Sequence, residues 1–222
     1  MQDMVYQGTV WDPSLSNTFF VPAFAVINSL SFTEICYADD LNAFKAFDNH
    51  ISNIFIQDSL NTLQKELHLW GSANQVTFDA AKESKHILSR SRSWGPNFKI
   101  LGILFDCRLI MADAVHECTV SCGWKLESLL RSRRFFCDSE LVNFFKVHVL
   151  SFIEYRTAGI AHASASVLAP IDRIFDRFLR QLGISIFDAL VYFNLVPLYL
   201  RRDIVILGVI YRTVLEQGFE TF

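Results

Sequence analysis

The sequence predicts an α+β fold, in which short β-hairpins pack on helices over residues 1–110 and helices alone fill residues 111–222. Three observations support this prediction. Two short apolar runs flank a pair of aspartates near residue 40, which indicates a hairpin. Elsewhere apolar residues recur at helical spacing. From about residue 111 onwards only the helical spacing remains, and such a change of pattern indicates a boundary between two parts of a chain.

A helix is predicted from residue 12 to about residue 30. Asp12 followed by Pro13 is a favoured start, because aspartate caps free backbone N–H groups and proline suits the first helical turn. Pro22 lies inside this stretch, where a proline removes a hydrogen bond and costs ~3 kcal/mol. We therefore expect the helix to be bent or broken there.

The next predicted element is the hairpin. Residues 32–37 and 41–47 are rich in aromatic and branched side chains, and the short polar segment between them is typical of a turn. Asp48 then predicts the start of a second helix, and Gly71 predicts its end.

Strands and then helices are predicted for the rest of the chain. The strands are expected at residues 75–78, 85–89, 98–101 and 103–105, with a turn at residues 94–97. The helices are expected over residues 115–130, over residues 141–153 with a start at Asp138, over residues 171–182, and from a start at Asp203.

The composition is that of a folded chain, because 51% of the 222 residues are apolar and 19% are charged. Residues 19–30 form the longest nearly uncharged apolar stretch, which is shorter than the ~20 residues of a membrane-spanning helix. No basic segment followed by an apolar core stands at the N-terminus, so no secretory signal is predicted. We expect an intracellular protein, nuclear or cytoplasmic, without a membrane partner.

The five cysteines are odd in number and lack paired spacing, which favours a reducing compartment. His116, Cys118 and Cys122 have a spacing that would also suit metal ligands. Only the two cysteines share a helical face, and no fourth ligand is suitably spaced. We therefore expect these cysteines to be buried as small apolar residues.

Charges are unevenly distributed along the chain. Residues 1–60 contain seven acidic side chains and one basic side chain, Lys45. Residues 82–99, the basic segment, contain five basic side chains and one acidic one, which suits contact with phosphates as well as ordinary solvation. The basic side chains of this segment are Lys82, Lys85, Arg90, Arg92 and Lys99.

Asp39 and Asp40 are adjacent in the predicted hairpin turn. Two carboxylates this close repel each other, and cations relieve the repulsion, so the pair is a candidate metal site. Asp-Asp is also common in ordinary solvated turns, where the side chains cap backbone groups. The dipeptide alone leaves both interpretations open.

The sequence around this pair, Tyr37-Ala38-Asp39-Asp40, resembles the palm hairpin of reverse transcriptases. Upstream, residues 7–13 are similar to the segment that precedes this hairpin in the enzymes of non-LTR retrotransposons. Downstream, residues 70–85 resemble the strand and lysine segment after the palm helix, and residues 98–106 resemble the primer-grip hairpin. The resemblance implies a partial palm over residues 1–110, followed by a helical thumb and connection region.

The resemblance implies an RNA-directed DNA polymerase that extends a DNA primer on an RNA template with dNTPs. In that chemistry the primer 3′-hydroxyl attacks the α-phosphate between two Mg²⁺ or Mn²⁺ ions. The resemblance makes Asp39 the bridging metal ligand, Asp40 its helper, and Tyr37 the residue beneath the primer end. Gln7 would position the template, and Gly8, which lacks Cβ, would let the backbone approach the nucleotide closely.

The same resemblance assigns Lys82 as the general acid for the departing pyrophosphate, although Lys85 matches that position as well. It assigns Leu101 and Gly102 to the primer grip. The expected contacts with the nucleic-acid backbone are Lys85, Arg90, Arg92 and Lys99.

A two-metal site needs a second strand with a carboxylate beside the hairpin, because successive residues of one strand point to opposite faces. In the family that aspartate lies upstream of Gln7, where this sequence has six residues, and Asp3 is too close to serve. We therefore expect no polymerase activity from this chain alone. The alternatives are a non-catalytic retrotransposon remnant that binds nucleic acid weakly and, if the motif matches are accidental, an unrelated helical interaction protein.

Overall fold

The described part of the chain consists of helices and two antiparallel hairpins, so the predicted α+β class is confirmed. The computed structural model describes residues 12–37 and 40–215, apart from the side chains of residues 12–17. It divides the chain into two compact units, Met1–Ile87 and Leu88–Phe222.

The first unit contains a hairpin between two long helices. Its elements are α1 (Asp12–Ser29), β1 (Thr33–Tyr37), β2 (Asp40–Phe44) and α2 (Asn53–Ala73). α1 packs against β1 and α2 around a small buried cluster of Ile27, Phe32 and Leu63. The predicted hairpin is thus confirmed.

α1 begins at Asp12 as predicted and runs through Pro22 to Ser29 as one helix. Pro22 therefore does not break the helix, although proline has no backbone N–H and one helical hydrogen bond is missing there. Among the described residues, no helix combines the length and the apolar character needed to cross a membrane.

α2 begins and ends later than predicted. Its N-cap is Ser52, whose Oγ accepts a hydrogen bond from the backbone N of Phe55 at 3.3 Å. Asp48 instead begins a turn that precedes the helix. The helix also continues past Gly71 to Ala73.

The two strands predicted directly after α2 are wrong. Residues 75–78 form no strand, and residues 85–89 contain only an isolated β-bridge. Residues 75–78 fold back on the end of α2 instead. A Cβ atom at Gly71 would lie 2.8 Å from the backbone O of Val76 and 2.9 Å from the ring of Phe78. This close approach, rather than the end of the helix, requires glycine at position 71.

The second unit contains one hairpin and six α-helices in its described part. β3 (Phe98–Ile100) and β4 (Ile103–Phe105) pair antiparallel, as predicted. A 3₁₀ turn (Arg133–Phe135) precedes the fourth helix, and a π-helical turn (Lys146–Leu150) joins the fourth and fifth helices. The helices are α3 (Ala112–Arg131), α4 (Asp138–Phe145), α5 (Ser151–Ile160), α6 (Ala165–Leu182), α7 (Ile186–Val191) and α8 (Leu198–Val214).

Each helix predicted in this part of the chain overlaps a helix of the structure. α4 begins at Asp138 as predicted, and its start is capped because Glu140 accepts a hydrogen bond from the backbone N of Cys137 at 2.9 Å. α8 begins before the predicted Asp203, with Pro197 as its N-cap, a position that needs no N–H donor. α7 has no counterpart among the predicted helices, because six residues are too few to show a helical period.

The two units are divided between Ile87 and Leu88, whereas the change of sequence pattern predicts a boundary near residue 110. The difference arises because β3 and β4 belong with the helices that follow them. A Cβ atom at Gly159 of α5 would lie 3.1 Å from two side-chain carbons of Ile103, so α5 approaches β4 closely. A strand signal does not reveal which unit a hairpin will join.

A bidentate ion pair joins α6 and α8. Arg202 donates from Nη1 to Asp172 Oδ1 at 2.7 Å and from Nη2 to Oδ2 at 2.8 Å. Arg202 is only 8% exposed, so its charge depends on this carboxylate for compensation.

Asp172→Ala should lower the free energy of unfolding by about 2–3 kcal/mol, because Arg202 would lose both charge-assisted hydrogen bonds while staying buried. Urea denaturation followed by far-UV circular dichroism measures this loss. Asp176→Ala is the matched control, since Asp176 is exposed one turn further along α6. It should change the free energy of unfolding by less than about 0.5 kcal/mol. Equal losses in the two variants would contradict the role given to the ion pair.

Candidate active-site hairpin and basic segment

The β1–β2 hairpin carries the pair of aspartates at its turn. Its strands pair antiparallel from Thr33 with Phe44 to Tyr37 with Asp40. This register leaves residues 38–39 as the connection, which lies outside the described residues.

The hairpin is attached to the core of the first unit through its inner face, where side chains of β2 pack against the buried cluster. Lys45 fixes the chain where it leaves β2. Its Nζ donates a hydrogen bond to the backbone O of Leu30 at 3.0 Å. The same Nζ lies 5.2 Å and 5.5 Å from the ring centroids of Phe32 and Phe47. These cation–π contacts hold the base of the hairpin in place.

The outer face of the hairpin is open to solvent near the turn. Tyr37 is 65% exposed, and Asp40, its partner across the strands, is exposed as well. The exposed carboxylate of Asp40 is accessible to a hydrated cation. The exposed ring of Tyr37, which is paired with Asp40 across the hairpin, is an aromatic surface accessible to a ligand. Gln7, Gly8 and Asp39 lie outside the described residues, so their predicted roles stay predictions.

The carboxylates in the described residues do not make up a metal site. In this part of the chain no three His, Cys, Asp or Glu side chains come together in a way that could hold a metal ion. β1 and β2 form a two-stranded sheet, and no third described strand brings another carboxylate beside Asp40. Two-metal catalysis needs ligands that enclose both ions. Because Asp39, the assigned bridging ligand, lies outside the described residues, the Mg²⁺ or Mn²⁺ pair that the resemblance implies stays a prediction.

His116, Cys118 and Cys122 do not converge on a common point. Cys118 and Cys122 are fully buried on α3, with their Sγ atoms 4.0 Å apart, whereas His116 is exposed. None of the five cysteines of the chain forms a disulfide. The two buried cysteines contribute to the core of the second unit.

Lys85 and Glu83 attach the first part of the basic segment to α2. Lys85 Nζ donates to Oδ1 of Asn61 at 2.6 Å and to Oε1 of Gln64 at 2.9 Å. Glu83 accepts a hydrogen bond from the side-chain amide of Gln64 and forms an ion pair with His68 Nε2 at 2.9 Å. Lys85 is thus engaged with its own chain, which lowers its availability for a phosphate.

These contacts also change the acidity of Glu83. Burial alone would raise the pKa of Glu83. Hydrogen bonds from Gln64 and His68 and the positive charges of His68 and Lys85 lower this pKa, and together they outweigh the effect of burial. The pKa is therefore lowered from its ordinary value of 4.5. The stabilisation from this network is complete well above that ordinary value and is lost as the pH falls through the lowered pKa.

The other side chains of the basic segment differ in their availability. Lys82 and Arg90 are exposed, and within the described part of the chain neither side chain has an ion pair or a hydrogen bond. Arg92 is half-buried, and Lys99 forms an ion pair with Glu117 Oε1 at 3.3 Å. The segment crosses the division between the two units. Lys82 and Lys85 belong to the first unit, and Arg90, Arg92 and Lys99 belong to the second.

Leu101 and Gly102, the predicted primer grip, form the turn between β3 and β4. Both have positive φ, +48° and +76°, which is the conformation that two-residue hairpin turns favour. The backbone O of Leu101 accepts a hydrogen bond from the hydroxyl of Tyr155 on α5 at 2.6 Å. The turn is thus exposed at its tip and anchored at its backbone.

Two residues that position this region, Tyr155 and Asp106, had no role assigned to them from the sequence. The Asp106 carboxylate accepts hydrogen bonds from the backbone N of Arg108 at 3.0 Å, of Ile110 at 3.2 Å and of Met111 at 2.7 Å. Burial would raise the pKa of Asp106, but these hydrogen bonds lower it. An aspartate after a strand is a recognisable turn signal. Tyr155 gives no such signal, since its partner lies 54 residues away in sequence.

Comparisons of the chain with family models, with curated proteins and with solved structures gave no match. A proposal of function therefore depends on the hairpin, the basic segment and the motifs that they carry.

Glu83→Gln should abolish the acid-dependent loosening of residues 79–85. In the original chain, the hydrogen-exchange protection of these amides should fall as the pH drops below 4.5, because protonated Glu83 loses its charge-assisted contacts. The variant should show weaker protection at neutral pH and no further fall over the acid range. Mass spectrometry, corrected for intrinsic exchange rates, measures this.

Glu66→Gln, on α2 but outside the network, is the control for this experiment and should behave like the original chain. The same acid-dependent fall in Glu83→Gln would show that another group causes it.

Proposed function

We propose that this chain derives from the palm and thumb of a non-LTR retrotransposon reverse transcriptase, and that the 222-residue polypeptide alone does not extend a primer. The β1–β2 hairpin carries the proposal. The pairing of its two strands ends at Tyr37 and Asp40, the first and last residues of the Tyr-Ala-Asp-Asp motif. A Tyr-Ala-Asp-Asp sequence in a helix or an unpaired loop would have argued against this origin.

Further features agree with the proposal. A second hairpin with an exposed Leu101-Gly102 tip occurs where a primer grip is expected, and only helices follow it in the described part of the chain. Lys82, the candidate general acid, is exposed and unengaged among the described residues, whereas Lys85 is bound to α2. The structure thus favours Lys82 over Lys85 as the group available to a leaving pyrophosphate.

The expected lack of activity follows from the carboxylates. Two divalent ions, when bound in such a site, stabilise the attacking and leaving oxygens of nucleotidyl transfer. In this proposal Asp39 and Asp40 would hold them together with a carboxylate from another strand. Because the resemblance implies that this other carboxylate lies upstream of Gln7, we attribute no catalytic step to the isolated polypeptide.

A primer-extension assay on an RNA template with Mg²⁺ or Mn²⁺ tests this proposal. The 222-residue chain and its Asp39→Ala Asp40→Ala variant should give the same background, because the metal site is incomplete in both. Metal-dependent extension that disappears in the variant would contradict the expected inactivity. The genomic sequence upstream of Met1 tests the origin. An open frame that encodes an apolar strand ending in Asp supports it, and an open frame without such a strand contradicts it.

A second candidate function is weak nucleic-acid binding by a non-catalytic retrotransposon remnant. Stop codons in the frame upstream of Met1 would favour this candidate. The exposed and unengaged side chains of Lys82 and Arg90 favour this candidate. Lys85 and Lys99, which have protein partners, should contribute less to phosphate contact.

For this second candidate, Lys82→Glu Arg90→Glu should weaken the gel shift of a primer–template duplex at low salt and reduce its salt dependence, because two phosphate contacts are lost. Lys65→Glu Lys125→Glu is the matched control, since both lysines are exposed and lie outside the basic segment. The control should retain more of the shift. No shift by the original chain at low salt, or equal losses in the two double variants, would rule out this segment as the binding site.

A further inference from the structure

α8 presents an apolar stripe to solvent. Its members recur with alternating spacings of four and three residues, which is the pattern of a helix that packs along another helix. Between 40% and 74% of each member is exposed. The α8 stripe consists of Leu200, Ile204, Leu207, Tyr211 and Val214.

The stripe does not serve the core of the second unit. α8 packs against α5 and α6 through its opposite side, where Leu198 and Arg202 are buried. The bidentate pair with Asp172 fixes the rotation of the helix about its axis, so the stripe is directed away from these helices. A helix with one apolar side for its own core and another in water is expected to have a further partner.

The exposed area is sufficient for a specific interface between two copies. At roughly 100 Å² for each partly exposed side chain, the five members of the stripe expose on the order of 500 Å² per copy. Pairing two copies would then remove up to about 1,000 Å² from water, which is the lower limit for a specific protein interface.

We propose that the α8 stripe pairs with the α8 stripe of a second copy of this chain in antiparallel orientation, with Leu207 of each copy at the centre. This register places Leu200 opposite Val214, and it places Ile204 within one residue, about 1.5 Å along the axis, of Tyr211. The stripe contains no charged side chain, so pairing two copies of it buries no charge from the stripe. The same surface on both copies is the arrangement of a two-fold symmetric dimer.

The charges beside the stripe select the antiparallel orientation. Parallel pairing would bring the two Asp203 carboxylates to the same level and align the two helix dipoles. Antiparallel pairing separates these carboxylates by about 12 Å along the helix axis and opposes the dipoles. The proposal is independent of nucleotidyl transfer, because no member of the stripe belongs to the candidate active-site hairpin or the basic segment.

Sedimentation equilibrium of the 222-residue chain over a concentration series tests the dimer. The original chain should show the mass of two copies, and Leu207→Asp should raise the dissociation constant on the order of 100-fold, because each dimer would bury two unpaired carboxylates. Val120→Asp is the matched control, since Val120 is 46% exposed on α3, outside the stripe. It should dimerise like the original chain, and circular dichroism checks that both variants are folded.

A monomer at every concentration, or a dimer that Leu207→Asp leaves unchanged, would overturn the proposal. The orientation is tested by disulfide cross-linking in a Cys137→Ser background, which removes the exposed thiol. Leu207→Cys should cross-link between copies. Leu200→Cys should cross-link only when Val214→Cys is also present. Efficient cross-linking of Leu200→Cys alone would overturn the antiparallel register.

Discussion

The stacked rings of Phe145 and Phe178 belong to the buried core on which the second unit depends. Their centroids are 4.1 Å apart with an interplanar angle of 10°, and both side chains are fully buried. Because Phe145 is the last residue of α4 and Phe178 lies on α6, the stack joins helices that are distant in sequence. The ring of Phe175 packs edge-on against the ring of Phe145. The relative orientation of these rings therefore depends on aromatic geometry as well as on apolar burial. α5, which follows α4 after the π-helical turn, carries the anchor of the β3–β4 turn.

The elements that sequence reasoning predicts well are those whose signals are local. The hairpin at residues 32–47 and the start of α4 at Asp138 follow from turn and cap chemistry within a few residues. The expected strand at residues 75–78 is wrong because its conformation depends on contact with Gly71, at the end of the preceding helix. The boundary between the units is equally non-local, since it depends on which helices β3 and β4 contact.

For the candidate site, sequence identifies side-chain chemistry but not side-chain availability. Lys82 and Lys85 are equivalent in sequence, yet Lys85 is engaged by Asn61 and Gln64, which lie 24 and 21 residues before it. Lys99 is engaged in the same way by Glu117, 18 residues further on. A run of positive charge therefore overstates the charge that is free for a partner. The exposure of Tyr37 and Asp40, by contrast, follows from their place at the end of a hairpin, which the sequence predicts.

The π-helical turn at Lys146–Leu150 joins α4 and α5 without a loop. Such a turn contains one residue more than the regular helix needs, so every residue after it is rotated by about 100° relative to a continuous α-helix. This rotation allows α4 to pack on α3 while α5 reaches both α3 and α8. In evolutionary terms, the exposed positions Val147 and His148 should accept many substitutions, but the segment should accept no change of length. Deleting one residue would leave a good helix, yet it would turn Ile153 and Ile160 away from the core that now buries them.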